Sequence, residues 1–310
     1  MRKLYFVFAL AITALVISAV AAEDTSTPAA VPVNMVVTVE AKHGANPPEI
    51  EREDVMVYEG RERDKVTDWL PLRGDHAGLE FFILIDDAAN TSLGSQLDDI
   101  RQFILAQPQS TKIGVAYMQN GIALVVQNLT SDHAQAAKAL RLPLANAGAG
   151  ASPYFSLSDL IKRWPEHNER REVLMVSDGI DRVWGSGPDD PYVDSVIEEA
   201  QRAGVLVFAI YTPGEGHYGH SFWRINWGQL YLSEVAAETG GESYYIGFSG
   251  APVSFVPYLD NLTERFNRQY LLTFLAKPQK KAGMQKVKLM TEVPNAELVS
   301  TERVYVPASQ

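Results

Sequence analysis

From Val33 onward the chain alternates apolar and polar positions in three short runs, VNMVVTVEA, EDVMVYEG and KVTDWLPL. Alternation of period two sends successive side chains to opposite faces, so these runs predict antiparallel strands. The turn-rich HGANPPE and the charged GRERD separate them. At Leu79 the pattern changes. FFILIDD (81–87) and REVLMVSD (171–178) are continuous apolar runs that stop on acidic residues. Such runs suit strands buried on both faces of a parallel sheet. Leu93, Leu97, Ile100 and Ile104 form one helical stripe after the first of them. IGVAYM and IALVVQ flank Asn120-Gly121, a tight hairpin signal. Thr130-Ser131 predicts the cap of a helix running to about Leu142. The loop ANAGAGAS then leads into a helix carrying Leu157, Leu160, Ile161 and Trp164.

After REVLMVSD, Asp190-Pro191 reads as a cap with a first-turn proline. That helix presents Val193, Val196, Ile197 and Ala200 and stops at Gly204. Strand VLVFAIY follows. A loop from Thr212 to Trp227 precedes the helix LYLSEVAAETGG, the strand SYYIG and a helix from about Val253 to Arg268. Strands alternating with helices predict an α/β class: a doubly wound, mostly parallel sheet with one antiparallel edge strand from the hairpin. Beyond Gln269, YLLTFLAKP, QKVKLMTEV and AELVSTERVYVP alternate again. Neither strand-rich end makes a comfortable sheet alone. The expected organisation is an N-terminal β segment (33–76), an α/β domain (77–268), and a C-terminal β segment (269–310). The last pairs with the first in a small β-sandwich-like module.

Composition narrows the function classes. The chain has 310 residues, 46% hydrophobic and 21% charged, with a formal net charge of -11. That balance lacks the basic footprint of a nucleic-acid binder. With no cysteine there are no disulfides, thiolate nucleophiles or cysteine-based zinc sites. Met1-Arg2-Lys3, the apolar Leu4 to Val20 and the small residues before Glu23 predict a signal peptide (1–22). A Thr/Pro/Ala linker (23–32) follows it. The expected product is exported, periplasmic or secreted, with no stable membrane span after cleavage.

The α/β segment resembles a von Willebrand factor type A domain. The mature chain more narrowly resembles the exported VWFA-related proteins of Acidobacteria-type bacteria. The residues that carry this are VNMVVTVEA…EDVMVYEGRERDKVTDW, FFILIDD with its helix, REVLMVSDGID, EEAQRAGVLVFAIY, EVAAETGGESYYIG and RQYLLTFLAKP…QKVKLMTEV. The resemblance implies a metal-ion-dependent adhesion site, with the pattern Asp-x-Ser-x-Ser, a later Thr and a final Asp. Carried over, the first Asp is Asp86, the Ser positions are Ala88 and Asn90, the Thr position is Ser152, and the last Asp is Asp178. The implied ligands of Mg²⁺ or another divalent cation are therefore Asp86, Asn90, Ser152 and Asp178, all hard oxygen donors. Ala88 offers no side-chain oxygen, and Asp87 compensates only if the loop turns it inward.

Each candidate has a plainer reading. Aspartates before a helix cap it, and Asp178-Gly179 is also an ordinary turn. The 212–227 loop carries Tyr218, Phe222, Trp223, Arg224 and Trp227, and such side chains either pack the loop down or anchor an interface. Phe222, Trp223 and Arg224, with Asp87, are the candidate contacts to a protein partner. His217 and His220 in that loop read as loop residues rather than ligands. Catalysis is the minor alternative. The second aspartate of a phosphohydrolase Asp-x-Asp is replaced by Ala88, no Gly-x-Ser-x-Gly elbow occurs, and AGAGAS lacks a phosphate-loop lysine. The expectation is a non-enzymatic binding module, metal-assisted at the sheet rim. The alternatives are a metal-independent one working through the aromatic loop, or a hydrolase of unrecognised type.

Overall fold

The first strand, β1 (Val31–Ala41), pairs antiparallel with a strand from near the other end of the chain, β10 (Gln269–Ala276), so that Val31 lies opposite Ala276. The computed structural model describes residues 30–308, apart from 45, 147, 149, 165–168, 185–186, 215–220 and 278–280. The expected signal peptide and most of the linker lie outside the described residues. The linker's last residues do not: Val31 and Pro32 already belong to β1.

β10 also pairs with β3 (Glu62–Pro71), which pairs with β2 (Met56–Glu59). The late strands β12 (Lys288–Met290) and β13 (Ala296–Val299) complete a six-stranded sheet of order β12-β2-β3-β10-β1-β13. β11 (Gly283–Lys286) and β14 (Arg303–Val306) form a separate ribbon. The alternation does what it predicts. Val33, Met35, Val37 and Val39 of β1 share one core with Leu272 and Phe274 of β10 and with Val304 and Val306 of β14. Trp69 stacks on Tyr270, ring centroids 4.4 Å apart, and donates its indole N–H to the Ile50 carbonyl at 2.9 Å.

The α/β domain leaves this sheet after β3 and returns to it at β10. Its strands are β4 (Leu79–Asp86), β5 (Thr111–Gln119), β6 (Ile122–Thr130), β7 (Arg170–Ser177), β8 (Val205–Tyr211) and β9 (Ser243–Tyr244). They lie in the order β6-β5-β4-β7-β8-β9, parallel except for β6. Helices α1 (Gly94–Ala106), α2 (His133–Lys138) and α6 (Val256–Asn267) cover one face. Helices α3 (Pro153–Arg163), α4 (Pro191–Ala203) and α5 (Phe222–Thr239) cover the other. Phe81, Ile83 and Ile85 enter the first core, Phe82 and Leu84 the second, which explains the unbroken apolar run. The fold is thus doubly wound, with one antiparallel edge strand and an additional antiparallel sheet. The β5–β6 hairpin turns on Asn120 and Gly121 at φ 51° and 76°, the pair of positive values that a tight primed turn requires.

Several boundaries differ from expectation. α2 is short: Asp132 caps it through Gln135 N–H at 3.0 Å, while Thr130 belongs to β6. It cannot run to Leu142 because Pro143 disfavours helical geometry at the residue before it. α5 starts at Phe222, where the Ser221 hydroxyl accepts from Arg224 N–H at 3.3 Å. Phe222, Trp223 and Trp227 therefore stand on a helix, not on a loop. Tyr218 and both loop histidines fall outside the described residues. β9 is confined to Ser243–Tyr244, because Tyr245 takes φ 63° and leaves the extended region.

The junction of the two sheets carries a polar cluster beside Val36 of β1, which packs on the first α/β core. Arg265 of α6 is buried and pairs with Glu40 of β1 at 2.5 Å and with Glu242 at 2.6 Å. Arg170 of β7 donates to the Gln269 side chain of β10 and to the Phe266 carbonyl. Beside it Glu172 is fully buried, and neither of its carboxylate oxygens has a hydrogen-bond partner. Burial pushes its pKa up to about 7, against the pull of Arg170, the Gln269 amide and Arg265. The folded state therefore holds a proton that the unfolded chain, at the ordinary value of 4.5, releases. Stability falls as pH rises between those two values and is level above about 7. Glu172→Gln removes this loss. Urea unfolding should find the variant more stable than the parent at pH 8, by up to about 3 kcal/mol, and little different at pH 4.5. A variant no more stable at pH 8 would show that Glu172 carries its charge at no cost.

Candidate functional site

β4 and β7 are neighbours at the middle of the parallel sheet, yet their chains depart to opposite faces, β4 into α1 and β7 into α4. This reversal of winding opens a crevice at the carboxyl ends of the two strands, the usual ligand position in open α/β sheets. Asp86 ends β4, and Asp178 follows β7 directly. The structure thus brings the two predicted aspartates together at the switch point.

Both are buried, Asp86 at 6% exposure and Asp178 at 2%. Asp86 Oδ1 accepts from Ala88 N–H at 2.8 Å, and Oδ2 accepts from the Ser177 hydroxyl at 2.7 Å. Burial and the Asp178 charge push the Asp86 pKa up to about 7. Asp178 Oδ1 accepts from Ile180 N–H at 2.9 Å. Its Oδ2 makes no hydrogen bond, although the Gly214 amide lies close enough to favour the charged form. Burial raises the Asp178 pKa, opposed by that amide, by Ile180 N–H and by Arg182 and Arg224.

The loops after β4 and β8 meet above this pair. Asn90 N–H donates to the Pro213 carbonyl at 3.2 Å, and Ala89 bridges Gly214. A Cβ on Gly214 would stand 2.4 Å from Asp178 Oδ2, so the backbone lies directly over that oxygen. From the other side α5 approaches. Gly179 has φ +70°, and a Cβ there would stand 2.1 Å from the Gly228 carbonyl. A Cβ on Gly228 would in turn stand 2.6 Å from the Asp178 carbonyl. Backbone meets backbone, and this contact fixes where the aromatic start of α5 sits.

The remaining predicted ligands are occupied locally. Asn90 Oδ1 accepts from Ser92 N–H at 2.8 Å and caps the turn leading into α1. The Ser152 hydroxyl donates to Asp181 Oδ2 at 2.5 Å and accepts from Phe155 N–H, capping α3. The space between Asp86, Ser152 and Arg182 has a volume of about 10 Å³, room for a single water. Among the described residues no three or more acidic or histidine side chains are arranged to hold a metal ion. The donor set therefore does not fit the divalent cation that the resemblance implies, because most of its oxygens already serve backbone amides and neighbouring hydroxyls.

Asp87 needs correction as a partner contact. It is fully buried and forms a two-pronged pair with Arg141, whose Nη1 and Nη2 donate at 2.7 and 2.8 Å. Arg141 also stacks on the Tyr117 ring at 3.8 Å. This pair anchors the 141–146 loop, and Leu144 N–H donates to the same carboxylate. Phe222 and Trp223 are the candidates that reach solvent, at 70% and 66% exposure, their rings in edge contact with centroids 6.0 Å apart. Arg224 turns back to the rim, and its Nη2 donates to the Asp181 carbonyl at 3.2 Å.

No family model matches the chain, and no curated protein matches it. Among solved structures it is similar to an aerotolerance-related membrane protein from Bacteroides fragilis, at 15% identity and a TM-score of 0.45, over 61% of this chain and 99% of that one. It is also similar to the conserved hypothetical protein BatB from Bacteroides thetaiotaomicron, at 15% identity and a TM-score of 0.42, over 61% of this chain and 97% of that one. A von Willebrand factor type A protein from Catenulispora acidiphila is similar at 10% identity and a TM-score of 0.46, over 92% of this chain and 75% of that one. The strand order itself carries the fold. The α/β domain has the architecture that the type A resemblance implies, with its ligand crevice largely filled by its own groups.

Arg182 and Arg141 are the rim residues that the sequence motifs do not include. Arg182 directly follows REVLMVSDGID, and an arginine closing an acidic turn was the available signal. The glycine contact gives a direct test. Gly228→Ala should cost about 2 kcal/mol in urea unfolding, because rigid backbone must shift to admit the methyl group. A gain in stability, as helix propensity alone would give, would mean that α5 does not press on the Asp178 turn.

Proposed function

We propose that this chain is an exported, non-catalytic protein-binding module of the von Willebrand factor type A kind. Its partner docks on the aromatic end of α5, beside the β4–β7 rim, without a bridging metal ion. The observation that carries this reading is the adjacent exposure of Phe222 and Trp223 at a fixed end of the domain. Large exposed rings rarely stand in pairs on a surface that binds nothing, and aromatics are the usual anchors of interfaces. Leu230, half exposed, stands two turns further along α5 beyond the exposed Asn226.

Support for a non-catalytic role comes from access. Asp86 and Ser177 are hydrogen-bonded but buried beneath joined loops, where a substrate has only the volume of one water. Support for export is the basic start, apolar stretch and small residues before Glu23. Among the described residues no helix is long and apolar enough to cross a membrane.

The test is a quantitative pull-down from the native envelope fraction with the parent and with a Phe222→Ala, Trp223→Ala double variant. Loss of two anchors should weaken capture at least about tenfold while the melting temperature stays put. Equal capture by the double variant would sink the docking site. Turnover in a phosphatase and esterase screen that Asp86→Ala abolishes would replace the reading with a hydrolase.

A further inference from the structure

Three aspartates, Asp86, Asp178 and Asp181, are buried together around the switch-point crevice. Burying like charges side by side is costly unless a positive charge joins them. In the pattern that the resemblance implies, a divalent cation is that charge. Here most of the oxygens that would hold it are engaged: Asp86 with Ala88 and Ser177, Asn90 with Ser92, Ser152 with Asp181, and Asp178 Oδ1 with Ile180, which leaves Asp178 Oδ2 as the unpartnered oxygen of the set. The crevice has an arginine instead. Arg182 lines the same one-water cavity as Asp86 and Ser152. Its backbone N–H is fixed to the Ala151 carbonyl at 3.0 Å, which holds the 151 and 182 loops together across the crevice. Its charge favours the ionised forms of both Asp86 and Asp178. Arg224 adds a second guanidinium at the Asp181 end, bonded to the Asp181 carbonyl.

We infer that Arg182 is the crevice's resident cation, supplying from the chain itself the positive charge that a divalent ion would bring. A guanidinium is always protonated in proteins and, being covalently attached, cannot be chelated or exchanged. The crevice then carries its counter-charge permanently and has no metal-driven switch. The inference concerns the charge inside the crevice and holds whether or not α5 binds a partner, so its test is read without one.

The test is thermal unfolding of the full mature chain. The parent should melt at the same temperature in EDTA and in millimolar Mn²⁺ or Mg²⁺, since a ligand that binds only the folded state would raise the midpoint. Arg182→Gln should melt roughly 4 °C lower or more, and Arg182→Lys should recover most of that loss. Asp178→Asn added to Arg182→Gln should restore the midpoint, because the uncompensated charge is gone; this also covers the case in which Arg182→Gln alone fails to fold. A rise in the parent's midpoint with Mn²⁺ that Asp178→Ala removes would overturn the inference. So would additive effects of Arg182→Gln and Asp178→Asn, which would make Arg182 an ordinary surface residue.

Discussion

The structure depends on one pairing: β10 lies between β1 and β3. Neither end of the chain completes the six-stranded sheet without the other. β1 has β10 and β13 as its neighbours, both from beyond residue 268, and β3 is joined to β1 only through β10. The alternating apolar faces of both ends therefore meet in one core. The α/β domain is an insertion between β3 and β10, and its last helix runs straight into β10. Arg265, held by Glu40 and Glu242, fastens that helix to β1 at the point of return. The two layers thus face each other through a seam with a polar cluster in it. Such a seam fixes registry through directed contacts, while most of the burial energy comes from the three apolar cores.

At the opposite end of the parallel sheet the same economy of parts fills the crevice. The ends of β4 and β7 must be adjacent because of the winding, so acidic side chains there are forced together. Hydroxyl, amide and guanidinium groups from the flanking loops then satisfy most of their oxygens. A site arranged this way is closed rather than poised, and α5 forms part of its roof. In the function proposed above, the emphasis therefore moves from the carboxylates to Phe222 and Trp223, which the Gly179–Gly228 contact places at the rim.

Much of the fold was legible because the two sheets have different solvents. β1 alternates because its faces differ, whereas Phe81 to Ile85 is continuously apolar because both faces are core. Asn120-Gly121, Gly204 and Gly240 marked turns and helix ends through their positive φ values. The start of α5 was not legible, since exposed aromatics at 222 and 223 blur the helical stripe that buried residues draw. The fate of the aspartates was hidden for a different reason. Asp87 is claimed by Arg141 and Asp86 by Ser177, far away in sequence, and no local spacing reveals which lone pairs remain free. Ser152 lines the crevice, and its hydroxyl is shared between a helix cap and Asp181.

The interleaving of the two ends also sets an order in time. During synthesis β1, β2 and β3 emerge first, and β1 must wait for the whole α/β domain before either neighbour exists. The inserted domain can assemble from its own strands and helices in the meantime. Long-range pairing of this kind is slow and leaves early strands open to wrong partners. The fold is therefore arranged to finish from the middle outward, β1 gaining its neighbours only when β10 and β13 have arrived.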